Sequence, residues 1–376
     1  MFQRILVVGT SFGGGNWPPL AAVTVGLVKA GHAVQCFGDR VIADDFSSAA
    51  SPIDVVQANA TLGAFMARWV SADDTGPSPF RAWAEACLPA VRAQVRDFEP
   101  QLVLSEIFTA ELARLTKAIC GVRWCCLNPG YYFGPNSLRR PETDFVGRSG
   151  YYRQQFWQAI SDADLVLHGT DALFDPPPHS LPQHHHYVGP LWWEPSGEAP
   201  TYLNEPGSPW VLVTVSSAPQ AEEMILIRTA LRALAAHPVR VLLTLSDGHA
   251  REEIGSVPDN VRIERFVSHA AVLRNSRLVI SHAGHGIVTK ALYYGVPMVL
   301  VPWARDQPGV AARAAALGAA EVVPRHDLTE LLLETAIARV LENPHYKESA
   351  TRMSRHLQAY DSIATARLRI EKLLVG

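Results

Sequence analysis

The chain has 376 residues, of which 48% are hydrophobic and 18% are charged, and its formal net charge is −3. This length is sufficient for two domains with well-packed cores. The small net charge and the lack of a Lys/Arg block argue against nucleic-acid binding. No apolar run approaches the length of a transmembrane helix, and the first predicted strand begins so early that a signal peptide is not expected.

The first predicted strand, Ile5–Val8, is apolar throughout, as buried parallel strands are. A glycine-rich loop, a helix at Leu20–Lys29 and a second strand at Ala33–Phe37 follow, which predicts a βαβ unit. An NAD-binding loop is the alternative interpretation. It is disfavoured because the GxGxxG spacing is absent and Pro18 and Pro19 interrupt the expected start of the helix.

Two further buried strands are predicted at Gln101–Ser105 and Val122–Leu127. Aromatic residues are concentrated after the carboxyl ends of such strands, where α/β folds bind ligands. They predict a pocket for an apolar or aromatic molecule, although core packing explains several of them equally well. The residues assigned to this pocket are Trp17, Phe65, Trp69, Phe108, Tyr131, Tyr132 and Phe133.

Two short segments have the composition of a metal site. Asp162–Asp164 has the DxD pattern but precedes a predicted strand, which suits a polar helix end better. His184–His186 would alternate between the two faces of a strand, so the three imidazoles would not form one site. No metal is therefore predicted. The five cysteines are odd in number and lack metal-type spacing, which favours reduced structural thiols in a cytoplasmic protein.

A segment rich in Pro, Glu, Gly and Ser, residues 191–209, lacks periodicity and is typical of an interdomain linker. A second series of strands and helices follows it. The strands predicted there are Trp210–Val215, Val239–Leu245, Val261–Phe266, Leu278–Ile280 and Met298–Val301, and the last two helices are Leu328–Leu341 and Glu348–Leu374. Strands that alternate with helices in both halves predict two doubly wound α/β domains.

The most informative stretch begins where an apolar strand ends at His282. Gly284 and Gly286 form a turn that leads into a helix. A strand, a glycine-rich turn and a helix N-terminus form an anion site, since unpaired backbone N–H groups and the helix dipole favour phosphate. After the next strand, Asp306 and Gln307 offer a carboxylate and an amide, which suit hydroxyl-rich ligands. A diphosphate site beside a polyol site indicates a nucleotide sugar.

The segment HAGHGIVTKALYYGVPMVLVPWARDQPGVAARAAALGAA, residues 282–320, resembles the donor-binding signature of family 1 glycosyltransferases. The resemblance continues in NVRIERFVSHAAVL, in HYVGPL and in the N-terminal strand and loop. It implies the GT-B fold, in which two Rossmann-like doubly wound domains face each other across a cleft. It also implies an acceptor-binding domain over residues 1–190, the linker at 191–209, a donor-binding domain over 210–350 and a C-terminal helix, 351–376, that returns to the first domain.

The resemblance also assigns roles within the donor site. It places Asp306 and Gln307 on the sugar hydroxyls and Trp303 close to the sugar. The residues assigned to the diphosphate are Ser216, Ser217, His282, Gly284, His285 and Gly286. The segment that receives the nucleobase, largely through its backbone, comprises Phe266, Val267, Ser268 and His269.

Two positions depart from the family signature. Ile287 occupies the place of a Thr or Ser, so one hydroxyl to the phosphate is lost although the backbone N–H remains. Lys290, one turn further, either supplies compensating charge or is a solvated helix residue, and the second is the favoured interpretation. Asn16 occupies the place of the histidine that serves the family as general base.

Asn16 cannot replace that base, because an amide has no useful basicity near neutral pH. Glu106 follows a predicted strand at a position resembling the acidic partner of the missing histidine. One hypothesis makes Glu106 itself the base, with a pKa raised by burial. Another is that the acceptor is already nucleophilic, and a third is that Glu106 only caps or pairs with the helix after it.

Two hypotheses on function result. The first is an inverting, metal-independent glycosyltransferase that moves a sugar from UDP or TDP to an apolar or aromatic natural product, with no cofactor beyond this co-substrate. The second is a catalytically silent homologue that binds a sugar nucleotide or a partner enzyme. A sugar-nucleotide epimerase is disfavoured, since its acid and base residues have no counterpart here. The sugar, the nucleotide, the acceptor, the type of bond and a homodimer are left open.

Overall fold

The computed structural model describes residues 2–47, 53–70, 78–134, 148–194, 199–217, 220, 222–235, 237–246 and 248–375, and for residues 68–70 and 148–152 only the backbone. The described chain forms two parallel β-sheets flanked by helices. The first sheet has the strand order β3-β2-β1-β4-β5-β6-β7. Its strands are β1 Arg4–Val8, β2 Ala33–Gly38, β3 Asp54–Gln57, β4 Leu102–Glu106, β5 Arg123–Asn128, β6 Leu165–His168 and β7 His185–Tyr187.

Helices connect these parallel strands. They are α1 Trp17–Lys29, α2 Arg40–Ser47, α3 Leu62–Val70, α4 Pro79–Phe98, α5 Ala110–Cys120 and α6 Arg148–Ile160. Residues of β1 alternate between two cores: Leu6 and Val8 pack on one face of the sheet, whereas Ile5 and Val7 pack on the other. Both faces are therefore covered, which explains why the strand is apolar throughout.

The second sheet has the order β10-β9-β8-β11-β12-β13. Its strands are β8 Trp210–Thr214, β9 Arg240–Thr244, β10 Val261–Glu264, β11 Ser276–Ser281, β12 Met298–Leu300 and β13 Ala320–Val322. The helices around and beyond it are α7 Met224–Leu234, α8 His269–Leu273, α9 His285–Tyr293, α10 Gln307–Ala316, α11 Glu330–Glu342, α12 Pro344–Leu357 and α13 Ser362–Val375. Because β8, β11 and β12 are neighbours, the loops after them meet at one edge of the sheet.

Two local predictions are wrong. Pro18 and Pro19 do not interrupt the start of α1, since the helix begins at Trp17 and both prolines lie in its first turn. Backbone N–H groups in the first turn have no hydrogen-bond partner within the helix, so the N–H that proline lacks is not needed there. The last helix is not continuous over Glu348–Leu374. It breaks between α12 and α13, where the Asp361 carboxylate accepts a hydrogen bond from the Ala364 N–H (3.0 Å) and starts a new helix.

Helix α13 packs against the first domain. It contacts α1, where a side chain at Gly26 would lie 2.5 Å from the Ile363 methyl group. Glu371 of α13 also bonds His32 at 3.1 Å. The chain thus returns to its N-terminal half, while the domain limits given above stay a prediction. Within the described residues, no helix is long and apolar enough to cross a membrane.

Candidate functional site

The loop between β11 and α9 is built to leave backbone N–H groups available. Ala283 has a φ of +65°, which turns the chain sharply after His282, and its N–H donates to Ser281 Oγ at 3.2 Å. Gly284 is the N-cap residue of α9 and provides no side-chain cap. A Cβ atom at Gly284 would lie 2.6 Å from His282 Nε2, so a larger residue would force the His282 ring to move. The first turn of α9 is thus an anion site of the predicted kind.

The imidazole of His282 is buried beside this loop. The pKa of His282 is lowered to about 4, chiefly by burial, against a hydrogen bond to the Thr214 backbone and with a smaller contribution from the positive charge of Arg305. Its Nδ1 atom is buried and has no hydrogen-bond partner in the described part of the chain. A bound phosphate would favour the protonated imidazole, which can donate from both nitrogens.

His285 and Ile287 use their side chains differently. The ring of His285 meets Phe174 of the first domain edge to face, with 5.8 Å between ring centroids. Burial, followed by the charge of Arg313, lowers the pKa of His285 to about 4. Ile287 is buried in the second domain's core. Its side chain therefore contributes packing and no hydroxyl.

The interpretation of Lys290 as a solvated residue is wrong. Its side chain is 12% exposed, and its ammonium group pairs with the carboxylate of Glu194 from the predicted linker. The same carboxylate accepts a hydrogen bond from Ser268 Oγ at 2.5 Å. Although burial raises the pKa of Glu194, the charge of Lys290 and the hydrogen bonds from Lys290 and Ser268 together lower it. The linker is thus fixed to α9 and to the predicted nucleobase segment.

That segment is held by further polar contacts. Ser268 caps α8 by accepting from the Ala271 N–H at 3.2 Å. His269 Nε2 lies 3.3 Å from Thr244 Oγ1, and burial lowers the pKa of His269 to about 4. Val267 is buried, whereas the ring of Phe266 is 69% exposed.

Asp306 and Gln307 share the turn between β12 and α10 but differ in what they contact. The Gln307 amide oxygen accepts hydrogen bonds from the backbone N–H groups of Trp303 (2.8 Å) and Ala304 (2.7 Å). Only its amide nitrogen can then donate to a sugar hydroxyl. Asp306 is the N-cap residue of α10 and makes no side-chain cap hydrogen bond. Burial raises the pKa of the Asp306 carboxyl, while the nearby charges of Arg305 and Arg313 act in the opposite direction.

Glu106 is fully buried at the end of β4. One of its carboxylate oxygens accepts from the Phe108 N–H at 2.7 Å, so the capping interpretation is correct for this oxygen. The other oxygen, Oε1, is buried without a partner among the described residues. Burial raises the pKa of Glu106 to about 8, although the hydrogen bonds that its carboxylate accepts act to lower it. A buried carboxyl with one unused oxygen and a raised pKa is a candidate base.

Asn16 precedes α1 in the loop after β1, the strand that pairs with β4. Its side chain does not cap the helix. Asn16 and Glu106 therefore follow the carboxyl ends of adjacent strands. The neighbouring Gly14 reaches the second domain, because a Cβ atom there would lie 1.9 Å from Ser217 Oγ. The loop that holds Asn16 thus meets the loop that holds Ser217 between the two domains.

Residues 228–364 match the family described as the erythromycin biosynthesis protein CIII-like C-terminal domain. The chain is 32% identical over 243 residues to 4'-demethylrebeccamycin synthase of Lentzea aerocolonigenes (61% of this chain, 55% of that one). It is 28% identical over 352 residues to oleandomycin glycosyltransferase of Streptomyces antibioticus (87% and 81%). It spans about half the length of several curated relatives that it matches.

Solved structures of low sequence identity share the fold. The calicheamicin glycosyltransferase matches with a TM-score of 0.77 at 20% identity, over 99% of this chain and 98% of that one. A spinosyn rhamnosyltransferase complexed with thymidine diphosphate matches with a TM-score of 0.74 at 17% identity, over 97% and 99%. The chain is thus similar in sequence to several antibiotic glycosyltransferases and shares their fold. Its predicted GT-B fold of two Rossmann-like domains is confirmed.

The aromatic residues assigned to the acceptor pocket do not form one group. Phe108 lies 5.5 Å from Phe80 and 5.3 Å from Phe156 between ring centroids, beside a cavity of about 290 Å³. Tyr131 donates to the Asp306 carbonyl oxygen at 3.4 Å across the two domains. Trp17 instead packs on Phe46 in the core of the first domain, with its indole N–H on Asp45.

Three of the remaining four residues also vary in their surroundings. Phe133 is buried, Phe65 packs partly buried against the same core, and Tyr132 packs edge to face on Trp157 with 5.4 Å between ring centroids. The side chain of Trp69 lies outside the described residues. The acceptor assignment stays a prediction, and core packing accounts fully for Trp17.

The segments with metal-like composition have structural partners. Asp164 accepts hydrogen bonds from Lys117 Nζ (2.7 Å) and from the Trp124 N–H (2.8 Å). His185 Nδ1 lies 2.9 Å from His168 Nε2 inside the first domain. In the described part of the chain, no three His, Cys, Asp or Glu residues are arranged to hold a metal ion.

Sequence reasoning missed two buried polar groups of this protein. Glu223 accepts hydrogen bonds from the Ser216 N–H (2.6 Å) and the Gln220 N–H (3.1 Å), and it lies 3.4 Å from His249 Nε2. It fixes the loop after β8. Arg313 of α10 pairs with Asp175 of the first domain at 2.8 Å, and both side chains are buried. Each partner is distant in sequence, so local patterns gave no signal for either contact.

Proposed function

We propose that the protein is an inverting glycosyltransferase that moves a sugar from UDP or TDP to an apolar or aromatic acceptor without a divalent cation. The observation that carries this proposal is the pairing of two adjacent features. The uncapped N-terminus of α9 follows β11, and the Asp306 carboxylate, which is not used as a cap, follows the neighbouring strand β12. A diphosphate and a sugar joined in one ligand match these two positions.

The nucleobase would lie against the segment around Phe266. The exposed aromatic ring of Phe266, in a segment that Glu194 links to α9, suits stacking by a base. On the other side of the sugar, the acceptor would enter from the first domain. Phe108 and the cavity beside it offer apolar surface close in sequence to Glu106.

In the proposed step, Glu106 removes the proton of the acceptor hydroxyl while its oxygen attacks the anomeric carbon. The new C–O bond forms as the bond from that carbon to the diphosphate breaks, and the nucleoside diphosphate leaves with the bonding electrons. One displacement inverts the configuration. The positive field at the start of α9, together with His282, stabilises the charge of the leaving group. A base with a pKa of about 8 is well matched to this role near neutral pH.

We expect UDP or TDP to raise the thermal unfolding temperature in the presence of EDTA. A nucleotide at about 100 times its Kd stabilises the native state by about 2.7 kcal/mol. Differential scanning fluorimetry with each nucleotide, with and without Mg²⁺, measures this directly. Stabilisation that appears only after Mg²⁺ or Mn²⁺ is added would overturn metal independence. Binding without transfer to any of a panel of phenols and alcohols would favour the silent homologue.

Asp306→Ala is expected to lower turnover with the sugar nucleotide while the Kd of the free nucleotide changes little. The variant loses a charge-assisted hydrogen bond of about 1.5–3 kcal/mol, which corresponds to roughly ten- to one-hundredfold. Kinetics with the sugar nucleotide and calorimetry with the free nucleotide separate the two effects. Asp327→Ala, on the surface, is the matched control. Equal losses for both ligands would make Asp306 a structural residue.

A further inference from the structure

The loop before α9 offers a diphosphate fewer hydrogen-bond donors than the family signature does. Ile287 supplies no hydroxyl, and its side chain is buried in the core. Lys290 would be the simplest source of compensating charge, but it pairs with Glu194, and both side chains are largely buried. A diphosphate requires charged donors. A cation on another element at the same edge of the sheet is therefore needed.

Arg305 lies in the turn between β12 and α10, one residue before Asp306. Its Nη1 atom is 3.5 Å from Ser216 Oγ. Its charge also acts to lower the pKa of His282 and of Asp306, although burial raises the pKa of Asp306 overall. The guanidinium thus lies among residues from three separate loops, those after β8, β11 and β12.

The backbone of Arg305 is in an unusual conformation. Its φ is +59°, in the left-handed region that favours Gly or Asn. Placing an arginine there costs conformational free energy, and such costs are concentrated at functional sites. Asn and Gly are therefore substitutions that remove the charge while they suit the backbone.

An independent observation indicates a ligand at this point. His282 is only 7% exposed, yet its Nδ1 atom has no hydrogen-bond partner among the described residues. A buried polar atom without a partner is costly unless a ligand or water satisfies it. His282 lies at the end of β11, next to the uncapped start of α9 and within the field of Arg305.

We propose that Arg305 binds the diphosphate of the donor and supplies the positive charge that Lys290 does not. This inference rests on the proposed function. A guanidinium can donate two parallel hydrogen bonds to phosphate oxygens. When the bond between the anomeric carbon and the diphosphate breaks, the leaving oxygen gains negative charge, and Arg305 stabilises it while the acceptor's proton goes to the base.

The test compares nucleoside diphosphates with the corresponding monophosphates by calorimetry on the full chain. We expect Arg305→Asn to weaken UDP or TDP binding about ten- to one-hundredfold, as the loss of a charge-assisted hydrogen bond predicts. UMP or TMP should lose less, so the preference for the diphosphate falls. Arg305→Gly should behave in the same way and provides a second variant that suits the left-handed backbone. Circular dichroism and the unfolding temperature confirm that both variants fold.

Arg232→Gln is the control, because it removes one arginine charge of the second domain from an exposed pair with Glu330. We expect it to bind the diphosphate within about twofold of the unmodified protein, since exposed ion pairs contribute little. Unchanged diphosphate affinity in Arg305→Asn and Arg305→Gly would overturn the assignment of Arg305. If the unmodified protein binds neither UDP nor TDP, the proposed function itself fails, which is a distinguishable result.

Discussion

Replacing Glu106 with Gln is expected to reduce kcat about 10²–10⁴-fold, the usual loss when a general base is removed. The substitution is nearly isosteric, but the amide cannot accept the acceptor's proton. Because the Phe108 N–H can still donate to the amide oxygen, the turn after β4 should be preserved. Turnover assays with the sugar nucleotide and a neutral alcohol acceptor measure the effect. Asn16→Ala should be milder, since Asn16 can only hold an acceptor in place.

The pH dependence provides a second measurement on the same residue. The pKa of Glu106 is raised to about 8 by burial, so the carboxylate form of the base becomes populated as the pH rises through that value. We expect kcat/KM to increase between about pH 7 and pH 9 and then to level off. In Glu106→Gln this rise should disappear. Near-full activity of the variant with a neutral alcohol would mean that the proton goes elsewhere.

The contribution of Glu106 to folding stability should fall as the pH rises, whereas its contribution to activity should increase. In the unfolded chain Glu106 loses its proton near its ordinary pKa of 4.5, whereas in the folded chain it keeps the proton up to about 8. Between these values the folded state binds more protons, so the contribution of Glu106 to stability is lost as the pH rises. Glu106→Gln should therefore gain stability relative to the unmodified protein between pH 5 and pH 9. This comparison separates a folded, inactive variant from an unfolded one.

The apolar strands could be predicted from sequence for a simple physical reason. A parallel strand with both faces covered is apolar at every position, as in Leu278–Ile280 of β11, which lies between two cores. The glycine-rich turn after it could also be predicted from sequence, because the residue that restricts Gly284 is its near neighbour in the chain, His282. Features that depend on neighbours in sequence were therefore predictable.

Contacts between distant segments were not. The pairing of Glu194 with Lys290 joins residues 96 positions apart, and nothing in the linker's composition indicates it. Trp17 illustrates a related difficulty: an aromatic residue beside a strand end is compatible with a pocket or with a core, and only the packing on Phe46 decides. The break between α12 and α13 was missed because no Gly or Pro marks it.

The Asp175–Arg313 pair connects the two domains at the donor turn. Asp175 also accepts hydrogen bonds from the Tyr132 N–H (2.7 Å) and the Tyr187 hydroxyl (2.8 Å). The Arg313 guanidinium lies over the Tyr131 ring, 3.8 Å from its centroid. Since Tyr131 contacts the Asp306 backbone, this pair links the first domain to the turn that holds the sugar-binding residues.

Asp175→Ala is expected to lower the free energy of unfolding by about 3–5 kcal/mol, the cost of removing one partner of a buried ion pair. The variant leaves a guanidinium that is only 1% exposed without its carboxylate and removes the acceptor of two further donors. Arg313→Met should cost less, because Asp175 keeps both of those donors. Urea unfolding of both single variants and of the double variant gives the coupling energy.

Glu330→Ala, which breaks the exposed pair with Arg232, is the control and should change stability by less than about 1 kcal/mol. A loss for Asp175→Ala as small as that of the control would mean that the pair does not hold the domains together.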